Sequence, residues 1–247
     1  MPINAIASGE VSMGTSKPLC MFCGREIDDI ELTQEHFVPK CLWEKGSRPN
    51  KTRTLPAHRS CNNSFSEDND YFRDVLAAEM GAEKNEAARL VQQGSLKRKL
   101  SKRPGAIFKN LSNIKHVWVT LPSGLVIQTL SYEVDSNRIA RVLHNVIKGI
   151  YYTTQREPLP EGYVLEAVDL AIVDDKEYSG FVQKTVSLMV DWQSFGDDAF
   201  ACRYVVSSSK PITKMNCLMQ FYGNRLFFGQ ALHPDEVEKI KQQQNGN

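Results

Sequence analysis

Cys20-Met21-Phe22-Cys23, Glu35-His36-Phe37-Val38-Pro39-Lys40 and His58-Arg59-Ser60-Cys61-Asn62-Asn63 are the three stretches on which the reading of this chain turns. The outer two are pairs of metal-ligating residue types at a spacing that lets one tight turn present both members. Zinc prefers four soft or borderline ligands in a tetrahedron, so Cys20, Cys23, His58 and Cys61 together make one structural Cys3His site. Between the pairs an acid stands beside a histidine, and an amide, Asn62, follows directly on the last cysteine.

The rest of the composition sets bounds. With 247 residues, 41% hydrophobic and 24% charged, the chain can bury a real core. A net charge of +1 gives no global signature for nucleic acid, so any such argument must come from local clustering. No apolar run approaches the ~18 residues a membrane span needs. Residues 1–17 lack a basic start and an apolar centre, and Gly9, Ser12, Gly14 and Ser16 suit a flexible tail rather than a secretory signal. A cytoplasmic protein is expected, and there six cysteines placed in this way favour metal over disulfides. Cys41, Cys202 and Cys217 sit among apolar neighbours as small core residues.

Turn-forming residues dominate 18–66, and a helix is expected over Asp70 to Met80, which Gly81 stops. A second helical stretch, Ala82 to Gln93, ends at Gly94, and 81–112 reads as a helical, basic linker. From residue 113 onward β-branched and aromatic runs take over. Strands are expected over His116–Leu121, Leu125–Leu130, Tyr163–Val173, Thr185–Trp192, Phe200–Val206, Lys214–Tyr222 and Arg225–Phe228. Ile139, Val142, Leu143, Val146, Ile147 and Ile150 make an apolar helical stripe, and Pro234 to Gln243 a closing helix. The segment 113–247 is therefore expected to be an α+β accessory domain of unknown function with a mostly antiparallel sheet. Trp118, Trp192 and the Phe221-Tyr222 and Phe227-Phe228 pairs read as core and sheet packing.

Metal-assisted phosphodiester hydrolysis needs a base to activate water, a cation near the phosphate, and ligands that leave part of the cation's sphere open. His36 suits the first role at neutral pH. Glu35 and the amide oxygen of Asn62 are hard donors suited to Mg2+ or Mn2+. Lys40, Lys45, Arg48, Lys51, Arg53 and Arg59 stand against one acid, Glu44, in a loop that would face phosphates well. Lys97, Arg98 and Lys99 extend the track.

In this order, Cys-x-x-Cys, Glu-His-x-x-Pro-Lys and a second ligand pair running into Asn, the residues resemble the HNH endonucleases. The resemblance covers about residues 18–75 and implies a ββα-metal domain over 18–80 with a structural zinc. By it His36 is the general base, Glu35 and Asn62 hold one catalytic divalent ion, and the products carry a 5′-phosphate and a 3′-hydroxyl. The acid is Glu where Asp is more usual, and the second zinc pair opens with His58 where cysteine is commoner. Asn50 stands near the place of the motif's middle Asn. The implied substrate is nucleic acid, DNA ahead of RNA, and the accessory domain would position the nuclease, form a homodimer or meet a partner protein. The alternative is a zinc-stabilised nucleic-acid-binding module without cleavage, which gives no reason for a histidine at position 36.

Overall fold

The structure, a computed structural model, describes residues 17–49, 53–102, 105, 112–120, 123–195 and 199–245. Residues 1–16 of the expected tail, Asn50 and Lys51 lie outside the described residues. The fold is mixed α+β with antiparallel sheets. Among the described residues no helix is long and apolar enough to cross a membrane.

Strand β1 (Leu32–His36) pairs with β2 (Thr54–His58), placing Glu35 opposite Leu55 and His36 opposite Thr54. The chain turns straight from β2 into the short helix α1 (Arg59–Asn63) and then α2 (Ser66–Ala78). Helix α2 begins earlier than the apolar pattern suggests, because Glu67 and Asp68 in its first turn favour the positive end of the helix dipole. Beyond a 3-10 turn at Ala82–Lys84, helix α3 (Glu86–Val91) runs through a π-helical turn, Gln92–Leu96, into α4 (Lys97–Lys102). Gly94 therefore does not stop the helix as expected. Its missing side chain serves close approach instead, since a Cβ there would lie 2.4 Å from the Glu44 carboxyl carbon.

Strands β3 (Ser112–Thr120) and β4 (Val126–Glu133) form a hairpin of their own. Trp118 on its outer face is 71% exposed, so the expectation that it packs in the core fails. The long helix α5 (Ser136–Gln155) follows, its first amides capped by the Asp135 carboxylate. Strands β5 (Val164–Asp169), β6 (Gln193–Phe195), β7 (Phe200–Val206), β8 (Lys214–Phe221) and β9 (Arg225–Leu232) make a five-stranded antiparallel sheet in the order β5-β9-β8-β7-β6. Helix α6 (Lys176–Val186) intervenes, and α7 (Pro234–Asn245) closes the chain.

The strand expected over Thr185–Trp192 does not form: Thr185 and Val186 end α6, and the chain from Ser187 to Trp192 is turn and irregular. Asp175 caps the start of α6 by accepting from the amides of Glu177 and Tyr178, and Val182 then packs on Leu218 and Phe228 of the sheet. A cap and a helical apolar face override the strand preference of Thr185 and Val186. Phe221, Tyr222, Phe227 and Phe228 are buried, as are Cys202 and Cys217. Cys41 is half-buried with its thiol on the Asn69 carbonyl, 3.2 Å away.

One core runs from the β1–β2 unit to the sheet, with α5 between them. Val142, Val146, Ile147 and Ile150 of α5 are fully buried. On the sheet side Gly229 admits the helix, since a Cβ there would meet Ile147 Cδ1 at 2.8 Å. On the other side Gly149 meets Phe37, the residue after His36, where an added Cβ would stand 2.2 Å from the Phe37 Cβ. Arg138 and Arg141 of α5 both bind Asp68 of α2, at 2.7 and 2.6 Å, and Arg138 also lies 4.3 Å over the Tyr71 ring.

Gly149→Ala is expected to destabilise the protein by about 3 kcal/mol or more, since neither backbone can yield without disturbing the core. Trimming Phe37 to Leu in the same chain should not restore stability, because every residue but glycine keeps the clashing Cβ. Urea unfolding of the single and double variants against the parent checks this, and recovery in the double variant would refute it.

Candidate metal centre and adjoining cleft

Two turns converge to form a ligand cluster. Cys20 and Cys23 come from a tight turn closed by Cys20 N donating to Arg25 O and Gly24 N to Cys20 O, both 2.9 Å. Gly24 adopts a left-handed φ of 71°, which its lack of a side chain allows. His58 ends β2 and caps α1, and Cys61 lies in the first turn of α1. The three sulfurs and the imidazole nitrogen lie within 4.8 Å of one another. Tetrahedral zinc with thiolate bonds near 2.3 Å needs sulfurs about 3.8 Å apart, so the group can close on such an ion with small adjustments.

The hydrogen bonds fix which histidine nitrogen faces the cluster. His58 Nε2 lies 3.0 Å from the Glu26 carbonyl, which can only accept, so Nε2 carries the proton and Nδ1 offers its lone pair. That Nδ1 sits 3.4 Å from Cys23 Sγ. Burial acts to raise the Cys23 thiol, yet hydrogen bonds from Arg25, Cys20 and His58 outweigh it and bring it down to about 6. Burial and the neighbouring Cys20 and Cys23 charges push Cys61 up to about 12. Three thiols this close cannot all ionise alone, and a divalent cation removes the repulsion. The cluster therefore can hold a metal ion such as zinc. Lys148 of α5, half-buried and donating to the Phe22 carbonyl at 2.8 Å, feels the charge of the same cysteines.

One residue past Cys61, the Asn62 side chain lies close enough to Glu35 to act on its carboxyl. Glu35 and His36 both border the same small cleft, although neighbours on a regular strand point apart. His36 is the last residue of β1, and the chain bends there. Burial raises the Glu35 carboxyl to about 7, against the pull of Lys40 and Asn62. Burial, then the charges of Arg48 and Lys40, lower the pKa of His36. His36 Nδ1 is buried without a hydrogen-bond partner among the described residues. The cleft is completed by Phe22 and Phe65, whose rings lie 5.0 Å apart, and by the amides of Asn69 and Asn145. Nothing in the sequence marks Asn145 for this place, because α5 brings it from far along the chain.

The basic residues divide. Lys40, Lys45, Arg48, Arg53 and Arg59 are all exposed, and of these Lys40 and Arg48 act electrostatically on His36; Lys51 lies outside the described residues. Lys97 is exposed. Arg98 pairs with Glu44, and Lys99 with Asp74. Burial opposes ionisation of Glu44, but hydrogen bonds from Arg98 and Ser95 hold its carboxyl down to about 2. The one acid of the 40–59 segment is thereby answered by α4 and the π-helical turn before it.

No family model, no curated protein and no solved structure matches this chain.

A carboxyl raised in the folded state costs stability above its unfolded pKa, and the cost reaches its full size above the folded value. In metal-free protein, Glu35→Gln should stabilise by about 1–2 kcal/mol at about pH 8, after discounting for partial exposure, and by almost nothing at about pH 4. Thermal melts of parent and variant at the two pH values check this, and equal Tm differences at both would contradict it.

Proposed function

We propose that the chain is a divalent-metal-dependent endonuclease of the HNH type, acting on DNA. The observation that carries the reading is the Glu35–Asn62 pair beside His36, one residue from a Cys3His cluster and in the order strand, strand, helix. The same order of elements supports the ββα-metal arrangement that the motifs imply.

The residues present suit two ions of different chemistry. Cys20, Cys23, His58 and Cys61 offer soft and borderline donors and would hold a structural zinc. Glu35 and Asn62 offer two oxygens and would hold Mg2+ or Mn2+, leaving most of the ion's sphere for water and phosphate. A carboxyl that burial raises to about 7 is short of positive charge, which is the deficit a bound cation fills. When bound, that ion supplies charge stabilisation at the scissile phosphate and the departing oxygen.

His36 does the proton work. Its lowered pKa leaves the ring neutral at physiological pH, free to take a proton from an attacking water. Lys40 and Arg48 serve twice, since positive charge near the cleft favours both the neutral imidazole and the phosphate. Asn62 holds the Glu35 carboxylate in place, and the metal cluster in turn holds Asn62 through Cys61.

Purified protein should contain about one zinc per chain, and it should nick or cut plasmid DNA with added Mg2+ or Mn2+. His36→Ala should lower cutting by about 10²–10⁴-fold while leaving zinc content and DNA binding intact. Cutting by His36→Ala at the parental rate would end the mechanism, and binding without cutting by the parent at any divalent metal would end the nuclease reading. Because the free Glu35 carboxyl must lose its proton to take a cation, cutting at limiting Mg2+ should rise with pH from about 6 to about 8. Cys61→Ser should lose zinc and cutting together; a metal assay beside the plasmid assay tests whether they part.

A further inference from the structure

Away from the metal cluster, a cavity of about 990 Å3 lies between the β3–β4 hairpin, the C-terminal end of α2, the start of α5 and the β5–β9 edge of the large sheet. Its walls are apolar, with Val75 and Leu76 from α2, Val117 from β3, Leu143 from α5 and Phe227 from β9. Its charged groups are Glu79, Glu83, Asp169 and Arg225, three carboxylates against one guanidinium. Arg225 answers two of them, reaching Glu79 at 3.1 Å and Asp169 on its other side. The Asp169 and Glu79 side chains each keep 17% of their surface open.

From this arrangement we infer that the cavity binds a small apolar molecule carrying a single protonated amine. The volume falls within the range of pockets that enclose drug-sized ligands, about 300–1,000 Å3, and apolar walls with a few convergent polar groups are their usual construction. Charge decides the rest. One guanidinium shared by two part-buried carboxylates leaves the three groups one positive charge short beside an apolar space, even with the Arg225 Nε buried and unpartnered among the described residues, so a cation is favoured over an anion or a neutral molecule. An ammonium beside Glu79 and Asp169 answers that deficit. Burial holds the Glu79 carboxyl above its usual range even with Arg225 beside it, which is the mark of the same deficit.

The ligand would also join the hairpin to the body of the protein. Among the described residues the hairpin is a two-stranded sheet apart from the others, and such a unit is marginal by itself. Polar ties between this segment and α2 include Tyr132 OH donating to the Val75 carbonyl at 3.3 Å and, just past β4, Asp135 N donating to Tyr71 OH at 2.6 Å. A molecule seated between Val117 and Leu143 would add apolar contact across that gap.

Dansylcadaverine, a naphthalene with an alkylammonium arm, is the probe, with the dansyl derivative of 6-aminohexanoate as its carboxylate counterpart. Titrated into the full-length protein, the amine should show blue-shifted, saturable fluorescence and bind at least about tenfold more tightly than the carboxylate. Glu79→Gln and Asp169→Asn should each weaken it by about three- to tenfold. Ala140→Phe, which puts a ring into the cavity from α5, should abolish it, and circular dichroism confirms that each variant folds. Bound amine should slow amide exchange over 112–133 while the apo protein exchanges freely there. Absence of saturable binding, equal binding of the two probes, or undiminished binding by a folded Ala140→Phe would each overturn the inference. None of these readouts depends on DNA cleavage.

Discussion

Helix α5 can lie against the strand bearing Glu35 and His36 only because residue 149 has no side chain. A Cβ at that position would stand 2.2 Å from the Phe37 Cβ, less than any non-bonded pair of carbons tolerates. Everything else in the fold follows from that contact being allowed. With the backbone of α5 pressed on Phe37, the opposite face of the helix reaches Gly229 of the sheet, where the same kind of space is left for Ile147. The helix is thus held between the Phe37 side chain on one face and Gly229 of the sheet on the other, and its apolar stripe is buried on both sides at once. Asn145 is carried to the edge of the cleft by the same placement, and Lys148 to the metal cluster.

The cluster and the cleft share one short piece of chain. His58, Cys61 and Asn62 occupy the junction of β2 and α1, so the conformation that points His58 and Cys61 at each other also sets the direction of the Asn62 amide. A helix as short as α1 has too few hydrogen bonds to be stable alone. Ligand closure around it can supply what length does not. Electrostatics work along the same line. Lys40 lowers the pKa of Glu35 and of His36 together, favouring the charged form of the acid and the neutral form of the base. One cation therefore shifts two groups at once, each toward its deprotonated form.

What could be read from the sequence was local in origin. The ligand pairs were visible because two residues within one turn carry their geometry in their spacing, and the structure brings all four to a single place. The stripe of α5 was visible because its helical period reports the buried face, and the strands β7, β8 and β9 because β-branched and aromatic residues gather in short runs. Failures came where a distant partner decides. Gly94 looks like a helix stop until Glu44 is seen to occupy the space beside it. Thr185 and Val186 favour a strand until Asp175 caps a helix that lays Val182 on the sheet. Trp118 reads as core because large aromatics usually are, but it sits exposed on the outer face of a hairpin, and among the described residues nothing covers it. Asn145 carries no local mark at all.

Pairing also changes how the basic residues count. A loop with six cations and one acid has a simple charge, yet the acid belongs to another element once the chain is folded. Glu44 turns inward to Ser95 and Arg98, which removes the loop's negative charge from its outer surface and takes up one cation of the α4 cluster in the process. Lys99 is drawn to Asp74 in the same manner, and Asp74 is already shared with Arg73. Helix α4 thus gives up two of its charges to hold itself in place, while Lys40 and Arg48 remain beside the cleft. The cations that act on His36, Lys40 and Arg48, are therefore not the ones that Glu44 and Asp74 take up, and their positive charge at His36 survives folding.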